Sequence, residues 1–360
     1  GGAKYPQVHL VDMLGDQEES GKFGQIFSGL LQDKIEDRLQ KKEQIILLQN
    51  RRGYSPVVRC GDCGDIVMCP QCKVALTYHR KGSQLICHCC GYLETKQREA
   101  CRSCQSPNMK YSGTGTQRVE SLIKETFPDA RLGRLDMDTA RTGSGLTKIL
   151  KDFSDGKLDI LLGTQMIAKG LDFPNATLVG IINADLGLHL PDFRAGERIF
   201  QLIYQASGRA GRRLKPGEVV IQTYVPDNPV IKNAAKLDMM KYYNIALSER
   251  NELKYPPFSW LAKIEITGQN QTSANSLSER IAKALKGKYK GLDVLGPSSC
   301  YLEKLRNNYR FQIVFKSLKK VDPNGQKLHK FITNNFRDFQ KKYRPGKNRI
   351  NIHFDPLSLI

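Results

Sequence analysis

The sequence predicts an α/β protein: a doubly wound parallel sheet carrying an inserted cysteine-rich metal module, followed by a small α+β domain. Three observations lead there. Short continuous apolar runs such as Ile45-Ile46-Leu47-Leu48 alternate with helical patterns through residue 224, which suits strands buried on both faces of a parallel sheet. Four Cys-x-x-Cys pairs crowd between Cys60 and Cys104. Prolines then punctuate the chain at Pro226, Pro229 and Tyr255-Pro256-Pro257-Phe258. The strands and helices beyond them fit a separate unit with an open sheet.

Residues 8–12 alternate weakly and read as a strand, and residues 17–21 as a polar loop. Ser28 can cap a helix over residues 29–42, with Leu30, Leu31, Ile35 and Leu39 on one face. Residues 45–48 form the next strand, leading through Asn50-Arg51-Arg52-Gly53-Tyr54 into the cysteines. Thr116 then caps a helix over 117–127, and a strand follows at 131–136. A helix at 145–153, strands at 159–162 and 177–184, a helix at 194–207 and a strand at 218–224 continue the alternation. One helix, 230–250, bridges the proline boundary. Beyond it come a strand (260–267), a helix (273–285), strands (292–295 and 310–316), a helix (326–343) and a strand (349–354). The expected units are 1–58 and 107–228 for the sheet domain, 59–106 for the metal module, 229–257 for a linker and 258–360 for the last domain.

Nine of the ten cysteines fall within residues 60–104, eight of them paired as Cys60/Cys63, Cys69/Cys72, Cys87/Cys90 and Cys101/Cys104. A Cys-x-x-Cys turn aims two thiolates at one point, so two turns complete a tetrahedral Zn²⁺ site with no open position. The inner pairs are separated by fourteen residues, near the spacing of a ribbon built on a hairpin, and the outer pairs would then meet beneath it. Sequential pairing is the alternative. A disulfide framework needs an oxidising compartment, and nothing at the N-terminus resembles a secretory signal. A redox pair would be single and would open a helix. Two structural zinc ions in a chain of the reducing cytoplasm are therefore expected. His88 and Cys89 are surplus, available to replace a neighbouring ligand, and Cys300 reads as a small buried apolar residue.

The formal charge is +20, which two four-thiolate zinc sites would lower to about +16. Residues 231–360 hold 25 Lys and Arg against 10 Asp and Glu. No apolar run approaches the roughly 20 residues of a membrane span. A basic chain without a membrane segment points to nucleic acid.

Two stretches carry more than pattern. Gly163-Thr164-Gln165-Met166-Ile167-Ala168-Lys169-Gly170-Leu171-Asp172 follows a buried strand, where parallel sheets bind ligands. Taken alone it is an ordinary strand-to-helix loop. Gln205-Ala206-Ser207-Gly208-Arg209-Ala210-Gly211-Arg212 places two arginines three apart, so a helix end would aim both guanidinium forks one way, as phosphoryl transfer uses them. Taken alone it is a basic helix terminus answering its own dipole.

Together the two stretches resemble motifs V and VI of helicases built on paired RecA-like lobes. With the four cysteine pairs set between Asn50-Arg51-Arg52-Gly53-Tyr54 and Gly113-Thr114-Gly115-Thr116, the whole chain resembles the C-terminal half of the primosomal replication-restart helicases. Tyr255-Pro256-Pro257-Phe258 and the closing Asp355-Pro356-Leu357-Ser358 share in the resemblance. It implies a RecA-like second lobe with an inserted two-zinc ribbon module and nested pairing, Cys60/Cys63 with Cys101/Cys104 around Cys69/Cys72 with Cys87/Cys90. It implies a C-terminal domain similar to a small ribosomal-subunit protein. In function it implies ATP- and Mg²⁺-dependent 3′→5′ DNA unwinding that restarts stalled forks. The implied partners are forked DNA, the acidic tail of the single-stranded-DNA-binding protein, and the primosome and helicase-loading proteins. Gly170, Asp172, Arg209 and Arg212 would lie at the ATP cleft, with Gln205 between nucleotide and DNA. Thr164, Arg51 and Arg52 would track the DNA backbone, and the module's tip near Tyr78 and His79 would act as a wedge or touch DNA.

One departure is large. No Gly-x-x-x-x-Gly-Lys-[Ser/Thr] occurs, since Gly156-Lys157 continues with Leu158 and lacks the upstream glycine, and no Asp-Glu-x-His follows a strand. The chain is accordingly expected to be a piece of such an enzyme, inactive alone. The competing class is a non-enzymatic zinc-ribbon nucleic-acid-binding protein or adaptor. Arg209 and Arg212 discriminate, because binding alone does not need two arginines at that spacing.

Overall fold

The computed structural model describes the chain apart from residues 1–5, 22–24, 50–57, 72–74, 80–83, 89, 96–98, 112–115, 136–142, 165–172, 189, 209–216 and 286–288. Strand β1 (Gln7–Asp12) leads directly into α1 (Met13–Ser20), where Asp12 caps the helix by accepting the Leu14 N–H at 2.9 Å. This corrects the expected loop at 17–21. Met13 and Gln17, four apart, are both buried, so tertiary contact overrides a polar local composition. Helix α2 (Gly29–Gln40) starts at Ser28, whose Oγ accepts the Leu31 N–H at 3.2 Å, and it ends two residues before the expected stop. Strand β2 (Gln44–Leu48) is buried throughout.

The metal module follows with β3 (Val58–Cys60), β4 (Thr77–His79), β5 (Gln84–Ile86), β6 (Leu93–Glu94) and β7 (Met109–Tyr111). Helix α3 (Thr116–Thr126), β8 (Leu132–Leu135), α4 (Gly143–Ser154), β9 (Ile160–Gly163), β10 (Ala176–Ile181), α5 (Ala195–Ser207) and β11 (Glu218–Thr223) complete the first domain. Its sheet is parallel, in the order β1-β11-β10-β2-β9-β8. Alternate residues of β2 serve opposite layers. Ile45 and Leu47 pack with Phe27, Leu31, Ile35, Val119 and Ile123 of the α2/α3 side. Ile46 and Leu48 pack with Phe153, Ile199 and Ile203 of the α4/α5 side. Gly180 in β10 lets α2 approach, since a Cβ there would lie 2.7 Å from Leu47 and 3.0 Å from Leu31.

The expected helix over 230–250 is two helices, α6 (Pro229–Ala235) and α7 (Met239–Glu252). Leu237 turns left-handed between them at φ 56°, and Asp238 starts the second by accepting the Lys241 N–H at 3.0 Å. Local capping wins over continuous helical propensity there. The last domain comprises β12 (Ser259–Gly268), α8 (Gln271–Leu285), β13 (Leu292–Leu305), β14 (Asn308–Leu318), α9 (Gln326–Lys342) and β15 (Arg349–Phe354). Its antiparallel sheet runs β13-β14-β12-β15. Ala262, Ile264 and Ile266 face α8 and α9. The other face is covered too, for Leu261 and Val314 pack with Tyr255 and Leu359. Strand β13 runs ten residues past its expected end at 295, with register shifts between Leu295 and Ser298 and between Ser299 and Lys304. No helix among the described residues is long and apolar enough to cross a membrane.

Candidate functional site

The cysteines are positioned by short antiparallel pairings. Strand β3 pairs with β7, setting Cys60 opposite Met109, and this closes the module's base. Cys60, Cys63, Cys101 and Cys104 gather there with their sulfurs all within 4.8 Å of one another. Cys60 lies 3.6 Å from Cys104, and Cys63 lies 3.6 Å from Cys101. The outer pairs therefore meet, and the sequential alternative is excluded. Above them the β4–β5 hairpin and β6 hold Cys69, Cys87 and Cys90 in a second group, with 3.7 Å between Cys69 and Cys90. Cys72 lies outside the described residues.

Four thiols so close cannot all ionise without a cation among them. Burial works against the Cys60 thiolate, yet the N–H groups of Cys63 and Asp62 hold that thiol down to about 7. Burial and the neighbouring sulfurs push Cys63 up to about 12. A soft dication in tetrahedral sulfur coordination removes that conflict, and the donor set fits zinc.

The module is seated on the sheet domain. The Arg59 guanidinium lies 3.4 Å above the Tyr224 ring, and Gly64, at φ +73°, passes so near that a Cβ would sit 2.8 Å from the Tyr224 carbonyl oxygen.

His88 is not a substitute ligand. It is 1% exposed, with Nδ1 3.0 Å from the Ser299 carbonyl oxygen and Nε2 3.2 Å from Nε2 of His79. His79 is no free tip either, since its Nδ1 lies 3.4 Å from the Glu303 carboxylate. Tyr78 packs against the module's own apolar cluster. Tyr78 and His79 thus make contacts inside the chain, while residues 80–83, the tip between β4 and β5 where a wedge or DNA contact is expected, lie outside the described residues. Cys89 lies outside the described residues. Cys300 is buried as expected, and burial pushes its thiol up to about 11.

Thr164 directly follows β9 at the carboxyl edge of the parallel sheet, beside Gln49, whose N–H donates to the Gly163 carbonyl at 2.9 Å. Gln205 is exposed near the end of α5. The buried side of that helix carries Ile199, Leu202, Ile203 and Ala206, and the Ser207 hydroxyl donates to the Ile203 carbonyl at 2.9 Å. Gly170, Asp172, Arg209, Arg212, Arg51 and Arg52 lie outside the described residues.

Two carboxylates escaped the sequence reading. Asp185, just beyond β10, accepts the Thr223 hydroxyl and the Tyr224 N–H (2.8 Å); burial pushes its carboxyl up while both hydrogen bonds oppose the shift. Its position directly after a buried apolar strand was a usable signal. Asp192 accepts Arg198 at 3.0 Å and gathers the chain end, through the Ser358 hydroxyl at 2.6 Å and the Leu359 N–H at 3.3 Å. Its partners at the chain end lie 166 and 167 residues away, so no local pattern announces that contact.

Three family models match this chain: the Primosomal protein N C-terminal domain over residues 251–357, the Helicase conserved C-terminal domain over 111–213, and the PriA DNA helicase Cys-rich region domain over 69–94. The chain is 42% identical over 340 residues to the replication restart protein PriA of Bacillus subtilis (strain 168), covering 94% of this chain and 42% of that protein. It is 38% identical over 361 residues to the Synechocystis protein of the same name, covering 98% and 42%. Against that of Chlamydia pneumoniae it is 36% identical over 325 residues, covering 90% and 43%. The chain spans less than half the length of these curated relatives.

Proposed function

We propose, taking as premise that this chain belongs to the PriA replication restart family, that it supplies the second lobe, zinc module and C-terminal domain of an ATP-dependent 3′→5′ DNA helicase. That helicase would act at stalled or abandoned replication forks and restart replication by primosome assembly. The observation that carries this reading is the helicase C-terminal match over residues 111–213, which takes in β8, β9 and β10 of the parallel sheet and ends in Gln205-x-x-Gly208-Arg209-x-Gly211-Arg212.

Two structural zinc ions would be held by Cys60, Cys63, Cys101 and Cys104 and by Cys69, Cys72, Cys87 and Cys90. Closed four-thiolate sites hold a fold and leave no coordination position for catalysis. Arg209 and Arg212 would neutralise charge on the transferred phosphoryl group, which is the work of an arginine finger. Gly170 and Asp172 would line the same cleft, with Gln205 between nucleotide and DNA. ATP would supply the free energy and Mg²⁺ would neutralise phosphate charge at a P-loop, a motif that this sequence does not contain. Thr164, at the carboxyl edge, and Arg51 and Arg52 would contact phosphates. The basic C-terminal domain suits acidic partners: DNA, the acidic tail of the single-stranded-DNA-binding protein, and the loading proteins.

Steady-state ATPase measured with forked DNA tests the assignment. This chain alone should not hydrolyse ATP. In a full-length family member, the substitution equivalent to Arg212→Ala should leave ATP binding largely intact and cut turnover about a thousandfold or more. Hydrolysis by this chain, or an unimpaired variant, would show that the arginines are misassigned.

A further inference from the structure

The contact between the zinc module and the C-terminal domain is centred on the inner knuckle. His88 stands between Cys87 and Cys90, and its carbonyl accepts two hydrogen bonds from the other domain, from Gln312 Nε2 at 2.6 Å and Ser298 Oγ at 3.1 Å. Its imidazole is held by Ser299 on one side and, through His79, by Glu303 on the other. Gly91, at φ +80°, closes the contact, since a Cβ there would lie 3.0 Å from the Pro297 carbonyl oxygen.

The seat is built for this purpose by both strands that form it. The shifts in β13 flank Ser298 and Ser299, and a bulge frees backbone groups from the ladder to bond elsewhere. On β14, Gln312, Val314 and Lys316 alternate and so share one face. Gln312 takes the knuckle, and Val314 packs with Tyr255 and Leu359. Lys316 donates to the Leu253 carbonyl at 2.9 Å with its ammonium 3.7 Å above the Tyr255 ring. All three are buried. A buried polar side chain costs free energy unless its partner is in place. Gln312 and Ser298 therefore depend on the His88 carbonyl, and its direction is set by the turn that Cys87 and Cys90 make when they share a metal.

We propose that the inner cysteine cluster is a latch: metal held there and docking of the C-terminal domain on His88 stabilise one another, while the outer cluster is independent of that domain. The coupling is reciprocal by linkage. It rests on the reading that zinc occupies the inner cluster.

The test uses the whole zinc-loaded chain. Zinc content is measured first, then the release of each zinc to a chromogenic chelator. Amide exchange is followed over residues 297–301, with residues 259–268 as the control for a folded domain. Chelation should raise exchange over 297–301 at least tenfold while 259–268 stay protected. Gln312→Ala, which removes no thiol, should speed release of one of the two zinc ions at least fivefold and leave the other unchanged. If that variant unfolds the domain, Ser298→Ala, which loses a single hydrogen bond, carries the same readout with a smaller acceleration in the same one phase. Unchanged release in the folded variant, or unchanged exchange over 297–301 after chelation, overturns the latch alone. A chain that purifies without zinc overturns the zinc reading and the latch with it.

Discussion

Replacing Glu218 by Gln removes one negative charge from the amino edge of the parallel sheet and leaves its shape. Glu218 opens β11 and faces two cations, Lys34 of α2 at 2.7 Å and Arg38 of α2 at 2.5 Å, with the His9 imidazole of β1 at 2.8 Å. Arg38 is itself buried and also meets Asp37 and Glu43. Burial alone would raise the Glu218 carboxyl, but hydrogen bonds from Lys34, His9 and Arg38 hold it down at about 2, against an ordinary 4.5. That displacement corresponds to roughly 3 kcal/mol, and water reaching Lys34 and His9 lowers it to roughly 2.

A carboxyl with a depressed folded-state pKa stabilises fully above its unfolded value and loses the contribution as pH falls toward the folded one. Glu218→Gln should therefore cost about 2 kcal/mol at pH 7. The difference from the native chain should shrink below about pH 4.5 and vanish near pH 2. Urea unfolding of both proteins at each pH, compared pairwise, measures it, because metal loss in acid is common to both. A destabilisation below about 0.5 kcal/mol, or one that does not change with pH, would refute the electrostatic account.

Three further outcomes follow from the module. Elemental analysis should find two zinc ions per chain, and Cys60→Ser and Cys69→Ser should each lower the count by one without unfolding the parallel sheet; a native content of one defeats the two-site reading. Removing both ions with a chelator should erase protection in β3 through β7, since metal binding and folding are coupled in such modules, and retained protection there would count against a structural metal. Gly64→Ala combines a positive φ with a clash 2.8 Å from the Tyr224 carbonyl oxygen. It should cost about 1–3 kcal/mol, read as faster exchange at the module's base with zinc content unchanged; a neutral effect would mean that the module is not seated where Arg59 and Tyr224 place it.

Local chemistry made much of the architecture legible. Ser28 announces α2 because a cap needs only the three residues that follow it. The run at 45–48 announces a central strand because both of its faces must be covered. Cysteine spacing left two pairings open, and β3–β7 pairing decides between them by bringing residues about forty apart together.

The α/β class, the insertion of a cysteine module after β2, the basic C-terminal domain and the motif at 205–212 are all legible in the residues. Each depends on neighbours within a few turns or on composition. The helix α1 is a product of long-range packing, since the burial of Met13 and Gln17 stabilises it against its own polarity. Tertiary packing likewise carries β13 on through a bulge and seats His88, surplus among the cysteines, in a domain contact. Gln312 and Ser298 lie 224 and 210 residues from the carbonyl they bond. A hydrogen bond has no sequence signature at that range, because its strength depends on desolvation and direction, and both exist only once the two domains are packed together.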